Sequence, residues 1–233
     1  RQRTYVAGQR QSLILPWELQ PTNLPTEEHL DMFIARQAES WLDDAPSDPF
    51  YLQVNFGGPH DPWDAPAEYR RRFNADDMAL SIDGDERTGP LSPHVDMLLR
   101  HAPSKLDGMG EAQNRVMRAY YYAKVALIDD CVGRVIAALE RSGRLDDTWI
   151  VVSSDHGEML GDHGLIAKKV FYEGAVNVPL IVRPPGGTPA WTSRALTCHL
   201  DIVQTILDIA GAAPYDDSDG RSLVPLLAGG PDD

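Results

Sequence analysis

Trp149-Ile150-Val151-Val152-Ser153 followed by Ser154-Asp155-His156-Gly157-Glu158 is the stretch that decides the fold class. The first five residues are an apolar, β-branched run of strand length, and the next five cannot extend it. A second polar cluster, Gly161-Asp162-His163-Gly164, comes at once, then Lys168-Lys169, then a second apolar run, Val178-Pro179-Leu180-Ile181-Val182. Carboxylate, imidazole and ammonium groups gathered beyond the C-terminal end of a strand mark where open α/β sheets place their chemistry.

Working outward, the same grammar repeats. Thr26-Glu27-Glu28 reads as a helix start with Thr26 as N-cap, and Leu30, Phe33, Ile34, Ala38 and Trp41-Leu42 carry helical spacing to about Asp44. Phe50-Tyr51-Leu52-Gln53-Val54-Asn55-Phe56 reads as a strand, and Gly57-Gly58-Pro59-His60-Asp61-Pro62-Trp63 as the loop at its end. Val116, Tyr120, Ala123, Leu127, Cys131, Val135 and Leu139 fall at steps of three or four, a long helix closed by Ser142-Gly143. A short amphipathic helix, Asp201 to Ala210, ends at Gly211. Residues 1–25, with three prolines, predict an irregular arm, and residues 76–110, rich in Asp, Gly, Pro and Ser, an insertion or mobile loop. The order of elements predicts an α/β fold: a mainly parallel, mixed sheet with right-handed crossovers, sandwiched by helices.

Composition narrows the function. The 233 residues carry a formal charge of −14, which argues against nucleic acid. It also repels anionic substrates, so local cations must prevail at any anion site. No apolar run approaches the roughly 20 residues of a membrane span. The start, Arg1-Gln2-Arg3-Thr4-Tyr5, has neither Met nor an apolar signal region, which leaves the compartment open and raises the expectation of a processed or excised chain. Two cysteines, Cys131 and Cys198, form no framework and read as small buried hydrophobes.

Asp155 and His156 join a carboxylate oxygen to an imidazole nitrogen, a pair suited to Ca²⁺, Mg²⁺, Mn²⁺ or Zn²⁺. An adjacent Asp-His alone reads first as an N-cap and a surface histidine; His60, just past a strand end, and Lys168, a short loop downstream, shift the balance. An ammonium such as Lys168 neutralises charge on a departing oxygen, while Lys169 reads as solvated. His60 can protonate a leaving group or hold an anionic oxygen. Asp162 and His163 shape the loop, with His163 a further candidate. His94, His101 and His199 carry no pattern. Together these groups point to metal-assisted hydrolysis of an anionic ester.

In this order and spacing the residues resemble the sulfatase family of the alkaline-phosphatase superfamily. Phe50–Phe56 with Pro59-His60-Asp61-Pro62 is similar to its strand and Pro-His-x-Pro loop. Ala119-Tyr120-Tyr121-Tyr122 through Gly133-Arg134-Val135 is similar to its long helix, and Ser153–Glu158 with Gly161–Gly164 and Lys168 to its second metal and lysine segment. Tyr172-Glu173-Gly174, His199-Leu200-Asp201-Ile202 and Gly220-Arg221-Ser222-Leu223 continue the match. The resemblance implies that Asp155 and His156 ligate a divalent metal, Ca²⁺ first, with Mn²⁺, Mg²⁺ or Zn²⁺ as alternatives. It implies that His60 and Lys168 act on the sulfate or leaving oxygen, with His163 at the substrate. Many sulfatases carry Asn where this chain has His156, and Asp-His is also similar to phosphonate monoester and phosphodiester hydrolases.

The family's Cys-x-Pro-Ser-Arg motif, whose Cys or Ser becomes a formylglycine nucleophile, and its N-terminal Asp-Asp metal pair are absent from these 233 residues. Cys131 is followed by Val-Gly-Arg and Cys198 by His-Leu-Asp. Residues 1–233 therefore resemble one partial catalytic domain, apparently incomplete. Loss of a covalent nucleophile costs on the order of 10⁶ in rate, so the isolated chain is expected to be inactive. A truncated sheet is also expected to self-associate or to pair with the absent portion. Partners are then a small-molecule or saccharide sulfate ester. The alternative from another class is a non-catalytic anion-binding remnant.

Overall fold

Helical and strand periodicity of this kind produces most of the elements in the computed structural model, which describes residues 19–45, 47–82, 92–94, 96–97 and 109–229. The chain forms two compact units that part between Gly186 and Gly187. Most of the irregular arm, and most of the 76–110 segment with His101, lie outside the described residues.

The first unit is built on two helices, α1 (Leu30–Asp43) and α2 (Glu111–Arg141), packed side by side. Helix α2 runs 31 residues and stops at the Ser142 cap, with Gly143 at φ +69 supplying the left-handed turn. Its stripe is buried at Ala123, Leu127 and Cys131, which meet Met32 and Ala35 of α1 together with Ala65 and Tyr69. Near its C-terminus Ala138 and Leu139 close on Leu42, with Phe50, Leu52 and Ile150 alongside.

Helix α1 departs from its sequence reading at both start and face. Thr26 opens a 3₁₀ turn, Thr26–Glu28, and the cap is His29, whose ring nitrogen accepts from the Asp31 N–H. The buried line is Asp31, Met32, Ala35, Ala38 and Leu42, whereas Leu30, Phe33 and Trp41 are exposed. The face is fixed by Asp31, whose buried carboxylate accepts from the backbone at Gly57 and Gly58.

Strand β1 (Ile150–Ser153) pairs with β2 (Leu180–Arg183) antiparallel, in the register Ile150 with Arg183 and Ser153 with Leu180. The parallel pairing predicted from sequence is therefore corrected for these two strands. Parallel neighbours need a crossover of a dozen or more residues, usually helical, that carries the chain back to its starting end. Residues 154–179 supply only a 3₁₀ turn and the single-turn helix Glu173–Val176, so the chain returns in the opposite direction. Phe50–Phe56 is extended and alternates, with Tyr51, Gln53 and Asn55 exposed, but has no ladder partner among the described residues and is not a strand there. Its exposed face is instead linked from Tyr51 Oη to Gln53 and from Gln53 to Asn55.

The second unit centres on α3 (His199–Ile209), ended by Gly211 at φ +64. Cys198 is exposed, against the sequence expectation, because it sits at the N-cap with its N–H donated to Asp201 Oδ2 at 2.7 Å. Asp201 Oδ1 accepts from Arg221 N–H and Thr205 Oγ1 from Leu223 N–H, so buried polar groups hold the closing loop.

Candidate active site

Three chain segments of the first unit meet beyond the end of β1. His60 comes from the loop after Phe56, Asp155 and His156 follow Ser153 by two and three positions, and Lys168 returns from the excursion toward β2. Lys168 Nζ lies 2.8 Å from His60 Nε2, and the rings of His60 and His156 are 6.4 Å apart edge to face. His60 Nδ1 faces the Asp61 carboxylate at 2.8 Å and the Asp61 carbonyl at 3.0 Å. Two acceptors on one side of the ring and an ammonium on the other assign the proton to Nδ1, leaving Nε2 to accept from Lys168. The result is a relay of donors, Lys168 to His60 to Asp61, with the His60 side chain about half exposed, at 52%.

His156 is oriented in the same way. Its Nδ1 donates to the Gly157 carbonyl at 2.9 Å, which turns Nε2 toward Asp155 Oδ2 at 3.5 Å. Metal-binding histidines commonly donate their second nitrogen to a carbonyl in this manner. A bare imidazole nitrogen facing a carboxylate is repulsive unless a cation or a proton stands between them. The Asp155 carboxylate is 86% exposed and so open to take one. Two donors are nevertheless half a coordination shell: among the described residues no group of three His, Cys, Asp or Glu side chains converges on a metal position. The fit to a divalent ion is thus partial.

The loop carrying these groups is held from inside. Glu158 is half-buried, and its carboxylate accepts from the N–H groups of Ala167 and Leu160. Burial raises the Glu158 carboxyl, outweighing the pull of those two amides and of Lys168 in the other direction. Burial likewise lifts the Tyr121 phenol to about 12, helped by the Glu158 charge. Leu160, His163 and Ala167 all adopt positive φ, unfavourable for residues with a Cβ, and such clusters occur where a loop is over-determined by its surroundings. Gly157 is required by close approach: its N–H donates to Ala175 O, and a Cβ there would stand 2.2 Å from the Gly174 carbonyl oxygen.

The other singled-out residues fall around this centre. Asp162 accepts from Arg118 and from the Ile82 N–H, a loop-shaping role. His163 sets its ring edge to face against Tyr172 at 4.9 Å, so one side of the imidazole is taken up in packing the loop. His94 meets the Lys169 carbonyl at 2.8 Å, and Cys131 is buried 3.3 Å from Met32 Sδ, its thiol pushed up to about 12 by burial. Sequence reasoning missed Asp31, Asp61 and Glu158. Asp31 Oδ1 accepts from the N–H groups of Gly57 at 2.8 Å and Gly58 at 3.1 Å, fixing the base of the His60 loop. Only Asp61, next to His60, had a local signal.

The profile of one family, Sulfatase, matches residues 4–212. The chain belongs to the sulfatase family. A multifunctional alkaline phosphatase superfamily protein, PehA, from Trinickia caryophylli is 33% identical over 223 residues, which cover 90% of this chain and 43% of that protein. A choline-sulfatase of Rhizobium meliloti (strain 1021) is 33% identical over 192 residues, covering 80% of this chain and 37% of that protein. Among solved structures, the phosphonate monoester hydrolase SpPMH from Silicibacter pomeroyi superposes with a TM-score of 0.75 at 30% identity, over 91% of this chain and 44% of that one. The fold is thus sulfatase-like, of the alkaline-phosphatase type, and the chain spans less than half the length of these relatives. Sulfatases generally use a divalent metal and a formylglycine. Among the described residues no helix is long and apolar enough to cross a membrane.

Proposed function

We propose that this sulfatase-family chain supplies the leaving-group side and part of the metal site of a sulfuric-ester hydrolase. The observation that carries the reading is the 2.8 Å approach of Lys168 Nζ to His60 Nε2, beside the oriented pair Asp155 and His156. Asp155 and His156 would hold part of the shell of a divalent cation, which would supply polarisation of the ester oxygens. Lys168 and His60 face the ester oxygen that departs. Lys168 brings a positive charge to the oxygen as negative charge builds on it, and its ammonium can give a proton there, leaving an amine that still donates to His60 Nε2. Asp61 holds His60 in the tautomer that keeps Nε2 turned to Lys168.

A phosphonate monoester or phosphodiester is the second substrate class, supported by His156 and by the likeness to a phosphonate monoester hydrolase. The test offers matched aryl sulfate, phosphonate monoester and phosphodiester to the full-length source protein and to its Lys168→Met and His60→Ala variants. Turnover of the sulfate that falls by about 10²–10⁴ in each variant is expected. Unchanged turnover in both variants rejects the assignment. Anion binding without any turnover favours a non-catalytic module.

A further inference from the structure

Behind the His60 loop lies a buried group of charges that the proposed chemistry does not use. Lys124 projects from the middle of α2, between Ala123 and Leu127 of the apolar stripe, and its side chain is only 6% exposed. Its Nζ lies 3.2 Å from Asp64 Oδ1, 3.6 Å from Asp31 Oδ2 and 3.0 Å from His29 Nε2. One ammonium therefore answers two carboxylates, and a buried charge deprived of its partner is strongly destabilising.

The two carboxylates sit at opposite ends of one loop. Asp31 takes the N–H groups of Gly57 and Gly58, where the loop begins, and Asp64 is the residue where it ends. The Asp64 carbonyl in turn accepts from Thr22 N–H at 2.9 Å. The backbone at Gly58 lies directly on this group, since a Cβ there would stand 3.0 Å from Asp31 Oδ2 and 3.1 Å from Lys124 Cε. Between the two gripped ends are Pro59, His60, Asp61, Pro62 and Trp63, leaving the loop little freedom once both ends are fixed.

We infer that Lys124 is a positioning residue: its buried ammonium pins both ends of the Gly57–Asp64 loop and thereby holds His60 Nε2 at Lys168. The inference rests on the proposed roles of His60 and Lys168 but concerns a different property, the fixed orientation of an imidazole. Such a residue moves the reaction through geometry alone, because it touches neither substrate nor the reacting atoms.

The test is a ¹⁵N spectrum of the histidine rings in the 233-residue chain and in its Lys124→Met variant, with thermal unfolding measured on both. In the parent, His60 shows a protonated Nδ1 and an accepting Nε2. In a cooperatively unfolding Lys124→Met chain the His60 signals collapse toward the averaged tautomers of a free imidazole. A cooperative variant whose His60 spectrum matches the parent overturns the inference. Where Lys124→Met does not fold, Asp64→Asn decides, since it releases one end and keeps the shape. A partial shift of His60 then supports the pin, and an unchanged spectrum overturns it. Turnover by His60→Ala tests the reaction, so the pin and the reaction can fail independently.

Discussion

Replacing Gly157 by Ala probes the point where the site loop and the chain entering β2 come closest. A Cβ at 157 stands 2.2 Å from Gly174 O, whereas ordinary contact begins near 3.4 Å, so the two backbones must separate by about an ångström. Neither side has a flexible side chain to absorb this, because the obstructing atoms are backbone carbonyls of Gly174 and Ala175. Overpacking of this kind costs about 1–3 kcal/mol. For a chain of this size that lowers the melting temperature by roughly 2–12 °C. Displacement of Gly157 also moves the carbonyl that orients His156, and at the proposed cation site losing such an outer partner weakens affinity by about 10–100-fold. Gly133→Ala is the matched control: it lies inside α2 with nothing within 4 Å of its Cβ. Removing a glycine from a helix is stabilising by roughly 0.5–1 kcal/mol, which raises the melting temperature by about 1–4 °C. Calorimetric melting with and without added Mn²⁺ reads both. A Gly157→Ala chain that melts with the parent and binds the ion as tightly refutes the close-approach argument.

Acid stability depends on Asp64. Burial acts to raise its carboxyl, but the His29 imidazole 3.8 Å away and the Lys124 charge outweigh burial and hold it below the ordinary value of 3.8. An acid so lowered contributes stability that is present above its unfolded value and lost as pH falls through the folded one. Asp64→Asn therefore flattens the acid limb of a stability-versus-pH curve below about pH 4; an unaltered limb contradicts the assignment. Aryl sulfate and phosphodiester incubated with the 233-residue chain alone are hydrolysed at the background rate, since the sequence contains no Cys-x-Pro-Ser-Arg. Turnover above that rate sinks this expectation. Phe171 and Ile181 in the first unit are 95% and 61% exposed, and Leu196 in the second is 90% exposed, so the chain is expected to self-associate. A monodisperse monomer in light scattering contradicts it.

Much of the fold was written locally. The run Ile150–Ser153 ending at Ser154-Asp155-His156 announces a strand and its polar end, and the steps through Ala123, Leu127 and Cys131 announce α2, because both patterns are short-range. The direction of β2 was not legible, since side-chain alternation is identical in parallel and antiparallel strands. The buried face of α1 was misread for another reason. Leu30, Phe33 and Trp41 are the larger apolar groups, yet Asp31 turns the helix to reach amides 26 and 27 positions away. The meeting of His60 with Lys168 spans 108 positions and the grip of Lys124 on Asp64 spans 60, distances over which periodicity carries no information. A lysine within an apolar stripe was the available clue to Lys124.

The antiparallel pairing of β1 with β2 bears on how such a site can vary. Ser153 and Leu180 are ladder partners, so residues 154–179 depart and return at neighbouring points on the same sheet edge. Adjacent strands lie about 4.8 Å apart, so the excursion leaves and rejoins the sheet at one narrow gap, while Asp162 on Arg118 and Ile166 against Trp63 and Met117 tie it to the rest of the unit. Asp155, His156 and Lys168 therefore travel together as one cassette, closed at its base and braced within by Glu158. Such a segment can lengthen, shorten or be exchanged between relatives without shifting strand register. His60 on its separately anchored loop, Arg118 and the cluster of Trp63 and Met117 must each be met anew by whatever arrives.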